Sequence, residues 1–108
     1  MQEFKAFECH CHTCHSRDGR NSVEEMCRRA AELGLASITI TDHCEINEYY
    51  SDAYHDSIRR SFEDIQKAKE RFRGKISVFA GLELAQAVHN LKYAEDAVNS
   101  NPYDFILG

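Results

Sequence analysis

Short apolar runs alternate along this chain with longer stretches of helical period, and this alternation restricts the fold more than any other feature. Residues 5–12 read as a first strand. Ser22 then opens a helix as N-cap, with Glu25 three positions later completing a capping box. Val23, Met26, Cys27, Ala30, Ala31 and Leu33 follow at helical spacing, and Gly34 is suited to end the helix. Residues 37–41 form a second, β-branched run. After a loop rich in Asn, Tyr, Asp and Ser comes a long helix with Ile58, Phe62, Ile65 and Phe72 on one face. Its other face is charged and reads as solvated, and Gly74 stops it. A third strand is expected at 76–80, a shorter helix at 92–98, a break at Asn101-Pro102 and a fourth strand at 103–107. The predicted order is β-α-β-α-β-α-β, which implies a parallel sheet with right-handed crossovers. No internal repeat, low-complexity tract or linker interrupts it.

Metal-competent side chains recur where these strands end. His10 and His12 close the first strand, and residues two apart on a strand share a face. They therefore project side by side, rigidly enough to grip one ion. His43 follows the second strand in Ile40-Thr41-Asp42-His43, and Glu83 follows the third in Ala80-Gly81-Leu82-Glu83. The C-terminal strand ends are where (β/α) barrels carry their active sites. A buried carboxylate such as Glu83 needs a partner, and a cation is a good one. Unlike a neutral imidazole, a carboxylate can also bridge two ions.

Other residues in these loops admit two readings each. Asp18 is either a ligand or simply part of the Asp18-Gly19 turn. His15 is either solvated or close enough to support the ligands. Asp42 either orients a neighbouring ligand or caps a helix. Cys44 can ligate or pack. Cys9, Cys11 and Cys14 could form a structural zinc knot, but strict strand alternation turns Cys9 and Cys11 away from His10 and His12. On that alternation both are expected to pack as small apolar residues under the helix layer. No Gly-rich phosphate loop is present, and no Cys-His pair stands out as a nucleophile and its base.

Composition narrows the classes. At 108 residues the chain is at most one domain, and its net charge of -5 gives no basic footprint for nucleic acid. A phosphorylated small substrate remains compatible, because bound cations can supply local positive charge. No apolar run reaches transmembrane length, and the N-terminus lacks the regions of a signal peptide. Five cysteines, an odd number mostly beside histidines, do not form a secreted disulfide framework, so free thiols in a reducing cytoplasm are expected.

Taken together, His10-x-His12-Thr13-x-x-Ser16-x-Asp18-Gly19, Thr41-Asp42-His43 and Gly81-Leu82-Glu83 resemble the first three motifs of the PHP family, named for polymerase and histidinol phosphatase. Thr41-Asp42-His43-Cys44-Glu45, the Tyr- and Asp-rich loop after it, and Gly81-Leu82-Glu83-Leu84 resemble the histidinol-phosphatase branch. The resemblance implies an α/β fold: part of a distorted (β/α)7 TIM-like barrel, with residues 1–108 as the N-terminal portion of one PHP domain. It implies two or three divalent ions, Zn, Fe or Mn, with His10, His12 and Glu83 on the first. Glu83 would bridge to a second, and His43 and Asp18 would serve a third. No catalytic residue beyond these ligands is implied. Glu8 stands where the family usually has Asp. The segment 103–108 resembles the strand that in the family runs into a serine-x-histidine motif; that motif and the later ligands are not in this sequence.

The implied activity is metal-dependent hydrolysis of a phosphomonoester, with histidinol phosphate as substrate in cytoplasmic histidine biosynthesis. Neither nucleic acid nor membrane is an expected partner, and an unclosed sheet edge makes self-association plausible. Two alternatives remain: another PHP phosphoesterase or nuclease, and a non-catalytic metal-binding remnant.

Overall fold

The computed structural model describes residues 5–108; the N-terminal reading of residues 1–4 lies outside them. The chain forms five parallel strands and three helices: β1 (Phe7–Cys11), α1 (Val23–Glu32), β2 (Ser37–Ile40), β3 (His43–Glu45), α2 (Tyr54–Arg71), β4 (Ser77–Ala85), α3 (Leu91–Asn99) and β5 (Phe105–Leu107). The α/β class and parallel sheet agree with the sequence pattern, and the sheet does not close into a barrel.

The sequence pattern misses β3 and cuts β4 short. β4 pairs β2 through Ser37↔Ser77 to Ile40↔Ala80, then pairs β3 through His43↔Glu83 to Glu45↔Ala85. The register is the same in both stretches, so β2 and β3 form one line of pairing interrupted at Thr41-Asp42. Across the interruption Glu83 N–H donates to Asp42 O at 3.0 Å. Gly81 makes the continuation of β4 sterically possible: a Cβ there would lie 2.7 Å from Thr41 Cγ2 and 2.9 Å from Ile40 O. Glu83 therefore lies inside a strand rather than after one. β5 pairs the same stretch of β4 through Gly81↔Phe105 to Glu83↔Leu107.

All the helices cover one face of the sheet. One apolar cluster joins Val23, Cys27 and Ala30 of α1, Ile65, Ala68 and Phe72 of α2, and Ile38, Ile40, Val78 and Ala80 of the sheet. A second joins Tyr54 and Ile58 of α2, Ala94 and Ala97 of α3, Cys44, Ile46, Tyr49 and Leu82. Tyr103 packs against both. The capping box forms as expected: Glu25 N–H donates to Ser22 Oγ at 3.1 Å and Ser22 N–H to Glu25 Oε1 at 3.3 Å. Gly34 adopts φ 75°, the left-handed conformation that ends α1. Leu33, expected in the apolar stripe, is exposed just past the helix end. The opposite face of the sheet is open, with Phe7, Phe79 and Phe105 exposed on it.

β1 carries a bulge that the sequence reading does not anticipate. Glu8 pairs with Ile38 and Cys11 with Ile40, so three steps on β1 match two on β2. Strict alternation therefore fails between Cys9 and Cys11. Cys11 does turn toward the helix layer, but Cys9 opens onto the other face, in a groove with Thr39, Phe79 and Phe105. The zinc-knot reading fails with it, because the Cys9, Cys11 and Cys14 thiols fall in no metal-competent cluster among the described residues.

Candidate metal centre

Three segments converge at the C-terminal end of the sheet. β1 and its following loop bring His10, His12 and Asp18; β3 begins with His43; β4 supplies Glu83. Glu83 Oε1 lies 3.0 Å from His10 Nε2, and Oε2 lies 3.1 Å from His12 Nε2 and 2.8 Å from His43 Nδ1. Asp18 approaches the other side of the same rings, at 3.0 Å from His12 Nδ1 and 3.2 Å from His43 Nε2. The His12 and His43 ring centroids are 4.1 Å apart.

Two overlapping groups result, His10/His12/Glu83 and His12/Asp18/His43, each with donor atoms within 4.8 Å of one another. Hydrogen bonding shows where the two groups would take a cation. His12 Nε2, His43 Nδ1 and Glu83 Oε2 are buried and none makes a hydrogen bond. They stand close to one another without the alignment of donor and acceptor. Leaving such groups unpaired costs on the order of 1–3 kcal/mol each. A cation receiving their lone pairs would remove that cost, and a mixed imidazole and carboxylate set suits divalent transition metals. The Asp18 carboxyl is held below the usual carboxylate range, chiefly by its hydrogen bond to His43; desolvation opposes this, and the hydrogen bond to His12 adds to the lowering.

Buried Asp42 holds these segments together. It accepts from Thr13 N at 2.6 Å, Thr13 Oγ1 at 2.8 Å, Ser16 Oγ at 2.8 Å and Ser61 Oγ at 2.6 Å. Sequence reasoning left Asp42 between two roles and did not single out Ser61 of α2. A serine within the buried 58, 61, 65, 68 stripe was the available signal. Glu45 was also missed: its Oε1 is 3.3 Å from His43 Nδ1. His15 lies away from both groups, with Nε2 2.7 Å from Asp64 of α2. Gly19 packs so tightly that a Cβ would stand 2.0 Å from Thr13 O, which fixes the loop carrying Asp18.

The PHP domain family model matches residues 8–108, covering every segment of this centre. The chain belongs to the PHP family. Within the family it is similar to a probable histidinol-phosphatase of Deinococcus radiodurans, 23% identical over 104 residues, 94% of this chain and 40% of the relative. This PHP chain thus spans about 40% of the length of the curated relative it matches. No solved structure matches it. Among the described residues no helix is long and apolar enough to cross a membrane.

Proposed function

We propose that this PHP chain carries the N-terminal half-site of a metal-dependent phosphomonoester hydrolase acting on histidinol phosphate. The observation that carries the reading is the convergence of three buried, unbonded lone pairs on His12, His43 and Glu83. His10, His12 and Glu83 would hold one ion; Asp18 and His43 would hold another, with Glu83 Oε2 between the two groups. Divalent Zn, Fe or Mn, when bound, supplies positive charge for phosphate oxygens and acidifies water. The chain's own residues bind and orient: Glu83, inside β4, meets the three rings, and Asp18 closes the outer side.

An open cleft beside the centre supports the choice of substrate. Arg17, whose guanidinium pairs with Asp52, lines it together with Asp18, Glu45, Glu48 and Tyr54. A guanidinium suits a phosphate once it exchanges Asp52 for it, and Glu45 and Glu48 suit a cationic amine on the same molecule. Histidinol phosphate carries both groups. The net charge of -5 opposes a nucleic-acid substrate. We place the reaction in the cytoplasm, consistent with free thiols throughout.

The test is metal content by elemental analysis, for the purified chain and for His10→Ala/His12→Ala, followed by phosphate release from histidinol phosphate. We expect bound metal that the double variant loses, and metal-dependent release. Metal-free wild-type protein after zinc or manganese loading would sink the proposal. Degradation of single-stranded DNA in place of phosphate release would assign the site to a nuclease.

A further inference from the structure

Asp42 is 2% exposed, and no lysine or arginine among the described residues forms an ion pair with it. A buried carboxylate without a counter-charge is costly, and four hydrogen-bond donors are what make it tolerable here. Those donors are arranged for a purpose that core packing does not require. Thr13 gives both its N–H and its hydroxyl, and it directly follows His12. Ser16 donates to Asp42 Oδ1 and, with the same oxygen, accepts the His43 N–H at 2.9 Å. The Asp42 carbonyl accepts the Glu83 N–H. Ser61 alone leads away from the site, into α2. One side chain and its own backbone thus touch every segment that bears a candidate ligand.

We infer that Asp42 is the positioning residue of this centre and that Ser16 is the relay through which it fixes His43. The inference rests on the proposed metal site for its functional meaning, but its structural content stands apart from any ion. Without Ser16 Oγ, the His43 N–H loses its acceptor and Asp42 loses one donor. The His43 backbone is then free to shift, and with it the ring that stands 4.1 Å from His12. Removing Ser61 Oγ also takes one donor from Asp42, yet leaves His43 untouched. The two serines are both buried and both bonded to the same carboxylate, so they separate positioning from general stability.

The test compares Ser16→Ala with Ser61→Ala by NMR on metal-free protein, then by zinc titration. In the wild type the His12 and His43 rings, with centroids 4.1 Å apart, should give a mutual NOE, and the hydrogen-bonded His43 amide should be protected from exchange. Ser16→Ala should lose the NOE and expose the amide; Ser61→Ala should keep both. Zinc affinity should fall by about 10- to 100-fold in Ser16→Ala and stay near wild type in Ser61→Ala. If Ser16→Ala does not fold, Ser16→Cys fills similar space with a weaker acceptor and carries the same expectations. Equal zinc loss in both serine variants, or an intact NOE and amide in Ser16→Ala, overturns the inference. Loss of the NOE in Ser16→Ala, with no zinc bound by any variant, upholds the positioning role and defeats the metal reading alone.

Discussion

His43 and Glu83 are directly opposed on neighbouring parallel strands, and their side chains meet at 2.8 Å between Nδ1 and Oε2. Sheet register thus sets the width of the centre: a slip of one residue would turn Glu83 to the helix side, where Leu82 now packs.

Glu83→Gln tests what that carboxylate does. The amide keeps the shape but loses the charge and one acceptor oxygen. Among the described residues only Glu83 lies within 3.1 Å of all three rings, so bound metal should fall at least about tenfold. Circular dichroism should remain that of the wild type, because Glu83 anchors no core cluster. Wild-type metal content in this variant would remove Glu83 from the ligand set.

Gly81→Ala tests why β4 runs on past Ala80. The added methyl meets Thr41 Cγ2 and the Ile40 carbonyl, and the latter is backbone that cannot swing aside. Overpacking of this kind costs about 1–3 kcal/mol. The urea midpoint should fall, and metal uptake should fall with it because Glu83 lies two residues along. A variant as stable as the parent would show that the two strands can separate without cost.

The site histidines were legible because chemistry-bearing residues stood at the ends of recognisable apolar runs. β3 was not, because His43, Cys44 and Glu45 carry no β-branched residue and pair only through the extension that Gly81 permits. The bulge in β1 leaves no mark in composition, so Cys9 was assigned to the wrong face while Cys11, two residues on, was assigned correctly. Asp42 was ambiguous for a different reason. Its donors Thr13, Ser16 and Ser61 come from two distant segments, and only the fold brings them together. Hydrogen-bond satisfaction is a tertiary property, whereas strand period and helix capping are local ones.

Thiol reactivity checks the two faces of the sheet. Cys9 and Cys14 are exposed, whereas Cys27 and Cys44 are buried. Burial pushes the Cys27 thiol up to about 11 and those of Cys11 and Cys44 up to about 12, so none of these three forms thiolate near neutral pH. Native protein at pH 8 should therefore titrate two thiols quickly and the remainder only on unfolding. A single fast thiol would return Cys9 to the helix layer.

The acid limb of stability offers a test away from the metal centre. Asp104 precedes β5 and ties it to the rest of the sheet: Oδ2 accepts from Ala80 N–H at 2.8 Å and from Lys69 Nζ at 2.9 Å. Burial pulls its pKa up, but the Lys69 ammonium and the Ala80 N–H pull it down further, and the net shift is downward. A carboxyl with a depressed folded pKa binds protons more weakly folded than unfolded. Its contribution is fully present above the unfolded value, about 3.9, and disappears as pH falls toward the folded one. The side chain is 38% exposed, so solvent screening keeps the effect modest. Asp104→Asn should therefore lower the urea midpoint at pH 6 and lose part of the further decline between pH 4 and lower values. Parallel curves for the two proteins through that acid window would show that the Lys69–Asp104 pair contributes nothing through its charge.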